Sequence, residues 1–289
     1  MSTVGDVINR VFRDSLTSPD RAPAVSVLES QFPTTTHITV KIAPLPPGEQ
    51  GLLTSGIIIE VGRELMRITS VTYQPPDDWF VQVERGYGGT TATTHVVGAR
   101  VLFSPIVARQ KLFEAVADAV VRLYPYLYSV GDVSVGSAGF AVLPPDAVGI
   151  LNAYTADGKR APARFVPARQ GRNPEVYSTG EVVIYQARFP RPTDETDDLS
   201  APPFGIEPQW EEIIDVTATS TMLAVMDWQK LRANTYVARA EAEVGPLTGA
   251  SQIQRSLDAR RQALLTEARQ ALNERYGIPV LQAGVTYGQ

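Results

Sequence analysis

Between positions 4 and 12 the chain places Val4, Val7, Ile8, Val11 and Phe12 three and four residues apart. That spacing predicts an amphipathic helix from residue 3 to about 16, stopped at Ser18-Pro19. The period then changes. Ile38, Val40 and Ile42 alternate, and apolar runs follow at Ile57 to Val61, Leu65 to Val71, Trp79 to Val83 and Ala99 to Phe103, separated by Pro, Gly and Asp clusters. Short strands at this density predict a small antiparallel barrel or sandwich over residues 36–103. Ser104-Pro105 has the chemistry of a helix start. Leu112, Phe113, Val116, Val120, Leu123 and Leu127 give that helix a broad apolar face, and Pro125 ends or kinks it.

A second β region is predicted over 129–190, with strands at Phe140 to Leu143, Val148 to Tyr154, Ala163 to Val166 and Glu181 to Arg188, and a turn at Asp157-Gly158. Residues 191–208, rich in Pro and Asp, read as a linker. From Pro208 the period is helical again, with Ile213, Ile214, Ala218, Met222 and Val225 facing inward. A further helix is expected from about Trp228 to Val244. Ser251 and Gln254 resemble a capping box for a last helix bearing Ile253, Leu257, Leu264, Ala268 and Leu272, closed by Gly277 and Pro279. The organisation expected is a helix within 1–20, a β domain over 36–103, a helix over 104–128, a β region over 129–190, a linker over 191–208, a helical region over 209–279 and an extended tail over 280–289. This is an α+β chain, with a helical assembly core and two small antiparallel β regions.

Composition narrows the chemistry. The 289 residues are 44% hydrophobic and 20% charged, enough apolar material for a packed core. A net charge of −5 argues against stable binding to a nucleic acid backbone. There are no cysteines, which removes disulfides, thiolate metal sites and cysteine nucleophiles, and the two histidines, His37 and His95, lie far apart. The start, MSTVGDVINRVF, does not read as a signal peptide, and no stretch approaches the ~20 apolar residues of a membrane helix, so no membrane partner is expected. Asp194-Glu195-Thr196-Asp197-Asp198 lacks the spacing of a cation loop and reads as a solvated linker. Lys159, Arg160, Arg164, Arg169 and Arg172 form a basic stretch with only Phe165 interleaved, better suited to loop charges or an acidic neighbour than to a nucleic-acid reader. No catalytic residue, metal or cofactor is expected, and no enzymatic activity. Amphipathic helices at both ends favour assembly. The candidate interface is Ile253, Leu257, Arg261 and Leu264 on the last helix, with Val280, Leu281, Val285 and Tyr287 in the tail acting as a strap.

The segment Val83-Glu84-Arg85-Gly86-Tyr87-Gly88-Gly89-Thr90-Thr91-Ala92-Thr93-Thr94-His95, continuing through Gly98-Ala99-Arg100-Val101, is similar to small β modules in phage head and tail structural proteins. It reads as a strand, a glycine-rich turn and a returning strand, with Arg85, Gly86, Gly89, Thr90 and His95 as turn-stabilising residues. The wider layout resembles head-to-tail adaptors of siphophages that infect actinobacteria. That resemblance implies a homo-oligomeric, twelvefold ring below the portal, in the virion neck, made in the host cytoplasm. It further implies the portal and the neck or tail proteins as partners, and transient non-specific proximity to duplex DNA. Two other readings remain open: another neck or tail component, such as a stopper or tail-completion protein, and a carbohydrate-binding or carbohydrate-cleaving virion module, for which aromatics such as Trp79 are suited.

Overall fold

A computed structural model describes residues 2–13, 24–75, 77–169, 171–226, 234–245 and 249–276. The fold is mixed α+β, with five α-helices among the described residues and antiparallel sheets. The chain divides into two compact units: a β unit drawn from residues 8–114 and 228–235, and a mixed unit drawn from 1–7, 115–227 and 236–289.

In the β unit, β1 (Val25–Val27), β2 (Thr39–Ile42), β3 (Ile58–Val61), β4 (Glu64–Gln74), β5 (Asp78–Glu84) and β6 (Arg100–Phe103) form one sheet in the order β1-β6-β3-β4-β5-β2. Burial alternates along β4, where Glu64, Met66 and Ile68 point inward, and along β5, where Val81 and Val83 do. The inward sets fill one core with Phe32, Ile42, Ile59 and Phe103. Burying one face of every strand curls the sheet into a half-barrel. Its edges are tied together: Leu28 bridges Ile42, and the Ala43 amide donates to the Val27 carbonyl at 2.9 Å. Strand β1 lies outside the 36–103 span predicted for this domain, which is thereby corrected to begin near residue 24.

The helix expected over 104–128 is shorter. Ser104 has φ 48° and donates its amide to the Ile58 carbonyl at 2.8 Å, so it closes β6 instead of capping a helix. Helix α2 runs Arg109–Val121, after the short N-terminal α1 (Val4–Ile8) and its π-helical continuation Asn9–Arg13. Glu60 on β3 supplies the cap that Ser104 does not, accepting the Arg109 amide at 2.6 Å. Val4, Val7, Ile8, Val11 and Phe12 are all buried, as their spacing requires.

The mixed unit holds two three-stranded antiparallel sheets: β10 (Ala163–Val166), β11 (Glu175–Ser178), β8 (Phe140–Val142); and β7 (Ser129–Ser134), β12 (Val182–Ala187), β9 (Ala147–Tyr154). Leu143, Ala153, Val176 and Val183 form their shared core. Helix α3 (Glu211–Val225) packs along α5 (Ala250–Tyr276), with α4 (Thr235–Val244) between them in sequence. Three expectations are corrected here. Residues 191–208 are no free linker: the Val4 and Gly5 amides donate to the Asp197 and Glu195 carbonyls, the Leu199 amide to that of Ser2, and Leu199, Phe204 and Ile206 are buried. Val225, expected inward, is 72% exposed at the end of α3. Ser251 lies inside α5, and the Gln254 amide reaches Ser220 and Asp258, so the capping box does not form.

Candidate functional site

The buried ionic centre of the β unit is Glu64, the first residue of β4. Because β4 alternates, position 64 faces the core with Met66 and Ile68, and its side chain is fully inaccessible. A carboxylate there needs a matched set of donors. Arg85, one residue past β5, supplies two: Nε to Oε1 at 2.7 Å and an Nη2 bond to Oε2 at 2.8 Å. The amides of Gly86 (3.1 Å) and Thr93 (3.0 Å) add two more, and His95 Nε2 lies 2.9 Å from Oε2. The rest of the Arg85 guanidinium holds the carbonyls of His37 (2.8 Å), Thr34 and Thr93, and its carbon sits 4.4 Å from the centre of the Phe32 ring. Burial alone would push the Glu64 carboxyl up. The bonds from Arg85, His95 and the two amides outweigh that and hold it at about 2.

Four of the five predicted turn residues meet in this region. Arg85, Gly86 and His95 bind Glu64 directly. Thr90 accepts the Leu65 amide at 3.0 Å and donates to the Tyr87 carbonyl, pinning the turn to β4. Gly86 has φ 63°, and a Cβ there would stand 2.9 Å from the Thr90 carbonyl oxygen. Gly89 has φ 83° and open space where a Cβ would stand. The hub itself, Glu64, was missed by sequence reasoning, as were Phe32 and Thr93. An acidic residue in phase with Met66 and Ile68 is the signal that would have found it.

Beside the cluster lies a cavity of about 390 Å³ lined by Glu60, Gly62, Thr94, His95, Arg100 and Arg109. Glu64 is saturated by its donors and held ionised, so the network serves to fix the loops at 34–37 and 85–95. No group of three metal-ligating side chains occurs among the described residues, and no described helix is long and apolar enough to cross a membrane. Three of the four carboxylates in the acidic run 194–198 hold its own turns: Asp197 accepts the Thr193 and Asp194 amides, Asp194 that of Thr196, and Asp198 that of Ser200. Trp79 is part-buried against the barrel core, its ring 4.8 Å from that of Tyr73.

The expected assembly residues fare differently. Ile253 and Leu257 are buried within the mixed unit, on the seam that α5 presents to α3, so they are corrected from interface to core. Leu264 is half-buried, and Leu265 takes the core position instead. Arg261, four residues after Leu257, has a buried Nε without a hydrogen-bond partner among the described residues. Val280, Leu281, Val285 and Tyr287 lie outside the described residues.

A surface that sequence reasoning did not single out lies on the β8–β11–β10 sheet. Phe140 (42% exposed), Val142 (54%) and Tyr177 (46%) share its outer face, and the Phe140 and Tyr177 rings stand 5.9 Å apart. Tyr177 pairs across the sheet with both Phe140 and Arg164, which brings aromatics beside the basic stretch that its own sequence neighbourhood lacks. Among the described residues strand β8 pairs only with β11 and is the edge of this sheet. Gly139 and Leu143 bond toward β11 (the Ser178 amide to the Gly139 carbonyl, the Leu143 amide to the Pro174 carbonyl). Alternation therefore turns the amides and carbonyls of Phe140 and Val142 toward the free side. The chain matches no model of a known protein family and no curated protein.

Proposed function

We propose that this chain is a structural assembly protein of a phage virion, a head-to-tail adaptor that forms a ring below the portal and bounds the DNA channel. The observation that carries the assembly reading is the edge of β8, which no other described strand covers, with Phe140, Val142 and Tyr177 exposed beside it. An uncovered strand edge with apolar side chains is a template for another chain, and proteins leave one open where a partner pairs with it. The buried polar chemistry supports the same reading, because the Glu64 cluster is spent on holding loops. The choice of virion neck rests on the likeness of the Val83-to-Val101 segment and of the element order to phage adaptors. A heterologous interface that closes by rotation gives a ring.

The test is native mass measurement and negative-stain imaging of the purified chain, alone and mixed with portal protein. Rings, free or on the portal, are expected. A strictly monomeric chain that binds no virion component would sink the proposal.

A further inference from the structure

Resting on the assembly reading, we infer that the open edge of β8 is filled by the segment 280–289 of a second copy of this chain, added as an extra strand. The edge is short and specific. It offers the main-chain donors and acceptors of Phe140 and Val142, bounded by Gly139 and by Pro144, which has no amide hydrogen. The outward side chains of the edge strand itself, Phe140 and Val142, are apolar, and no side chain between Ser134 and Pro145 is charged. The next strand adds Tyr177 and Glu175 to the same face, where the Tyr177 hydroxyl donates to the Glu175 carboxylate at 2.9 Å.

The tail matches this edge in period, propensity and charge. Leu281, Ala283, Val285 and Tyr287 alternate with Gln282, Gly284, Thr286 and Gly288, the two-residue period of a half-buried strand. Val285-Thr286-Tyr287 is a run of strong strand formers. Residues 277–289 contain no ionisable side chain other than Tyr287, so a neutral segment meets a strand that carries no charged side chain of its own. Side chains opposite one another on paired strands share a face. In the register that sets Val285 opposite Val142, the apolar row of the tail lies beside Phe140 and Val142, and Gln282, Gly284 and Thr286 lie on the face of Ala141. The 13 residues after Tyr276 span at most about 45 Å when extended, enough to leave α5 and reach a neighbour. Donation from each copy to the next is head-to-tail, and a head-to-tail contact is what a ring requires.

The chain has no cysteine, so introduced thiols report without background. Val142→Cys and Val285→Cys are made as separate full-length variants, mixed, and oxidised. The expected product is a disulfide-linked pair containing one copy of each variant, while the chain carrying both substitutions gives a ladder of covalent multimers. Gly284→Cys, on the other face of the tail, is expected to link to Val142→Cys at least tenfold less. A single-copy, internally linked product from the double variant overturns the inference, because the tail then covers its own edge. Multimeric full-length chain without any 142–285 link also overturns it and leaves the assembly reading standing. A chain ending at Pro279 is expected to keep its helix content and lose its multimers, and normal multimers from it overturn the inference. A full-length chain that never multimerises and binds no virion component removes the assembly reading and this inference together.

Discussion

At the scale of single residues, the Glu64–Arg85–His95 cluster makes sharp predictions because both charges are out of water. Glu64→Gln leaves Arg85 buried and uncompensated, and is expected to cost about 3–5 kcal/mol in chemical denaturation. Replacing both partners, Glu64→Leu with Arg85→Met, removes both charges at once and is expected to recover most of that loss; a double variant as unstable as the single one would contradict this account. The same cluster sets an acid limit. A carboxyl whose folded pKa lies at about 2, below its usual 4.5, stabilises the fold fully above the higher value and loses that contribution as pH falls from about 5 to about 2. The contribution is on the order of 3 kcal/mol, and Glu64→Gln should flatten the pH dependence of unfolding across that window. Gly86→Ala should also destabilise the β unit, since φ 63° is strained for alanine and the added carbon meets the Thr90 carbonyl. The turn chemistry of Arg85, Gly86, Thr90 and His95 was legible because those residues fall within one eleven-residue motif. Glu64 was not, because its partners are 21 to 31 residues away and only the strand alternation reveals that it points inward.

At the scale of elements, periodicity located the strands and most helices, and tertiary contacts moved their ends. The start of α2 is the clearest case: Ser104-Pro105 has good capping chemistry, but the capping oxygen comes from Glu60, 49 residues earlier. Residues 191–208 looked like a linker from composition, yet their backbone groups bond to residues 2–5 and their few apolar side chains are buried. Along α5 the seam carries Ile253, Leu257, Ala268 and Leu272 as their spacing predicts, and Leu265 is buried in place of Leu264, two four-residue steps after Leu257. If Leu257 is core, Leu257→Ala should cost about 2–5 kcal/mol in denaturant unfolding. Unchanged stability with lost multimers would instead return that residue to the interface.

At the scale of the whole molecule, the charge balance governs contact with DNA. With a net charge of −5, and with Lys159 of the basic stretch paired to Asp157, the chain should bind duplex DNA more weakly than about 1 μM at physiological salt. Tighter binding in a filter or anisotropy assay, or any sequence preference, would contradict that. The α+β organisation with two β regions was legible from alternation and turn residues. The exposed face at Phe140, Val142 and Tyr177 was not, since it joins side chains from strands nearly 40 positions apart. The two kinds of sheet edge also keep different time. In the half-barrel, the tie between Leu28 and Ile42 leaves few amides that water can reach without opening the sheet, so deuterium should enter it only through large unfolding events. At β8 the amide hydrogens of Phe140 and Val142 face outward, and in an isolated copy they should exchange orders of magnitude sooner than those of the tied half-barrel edge.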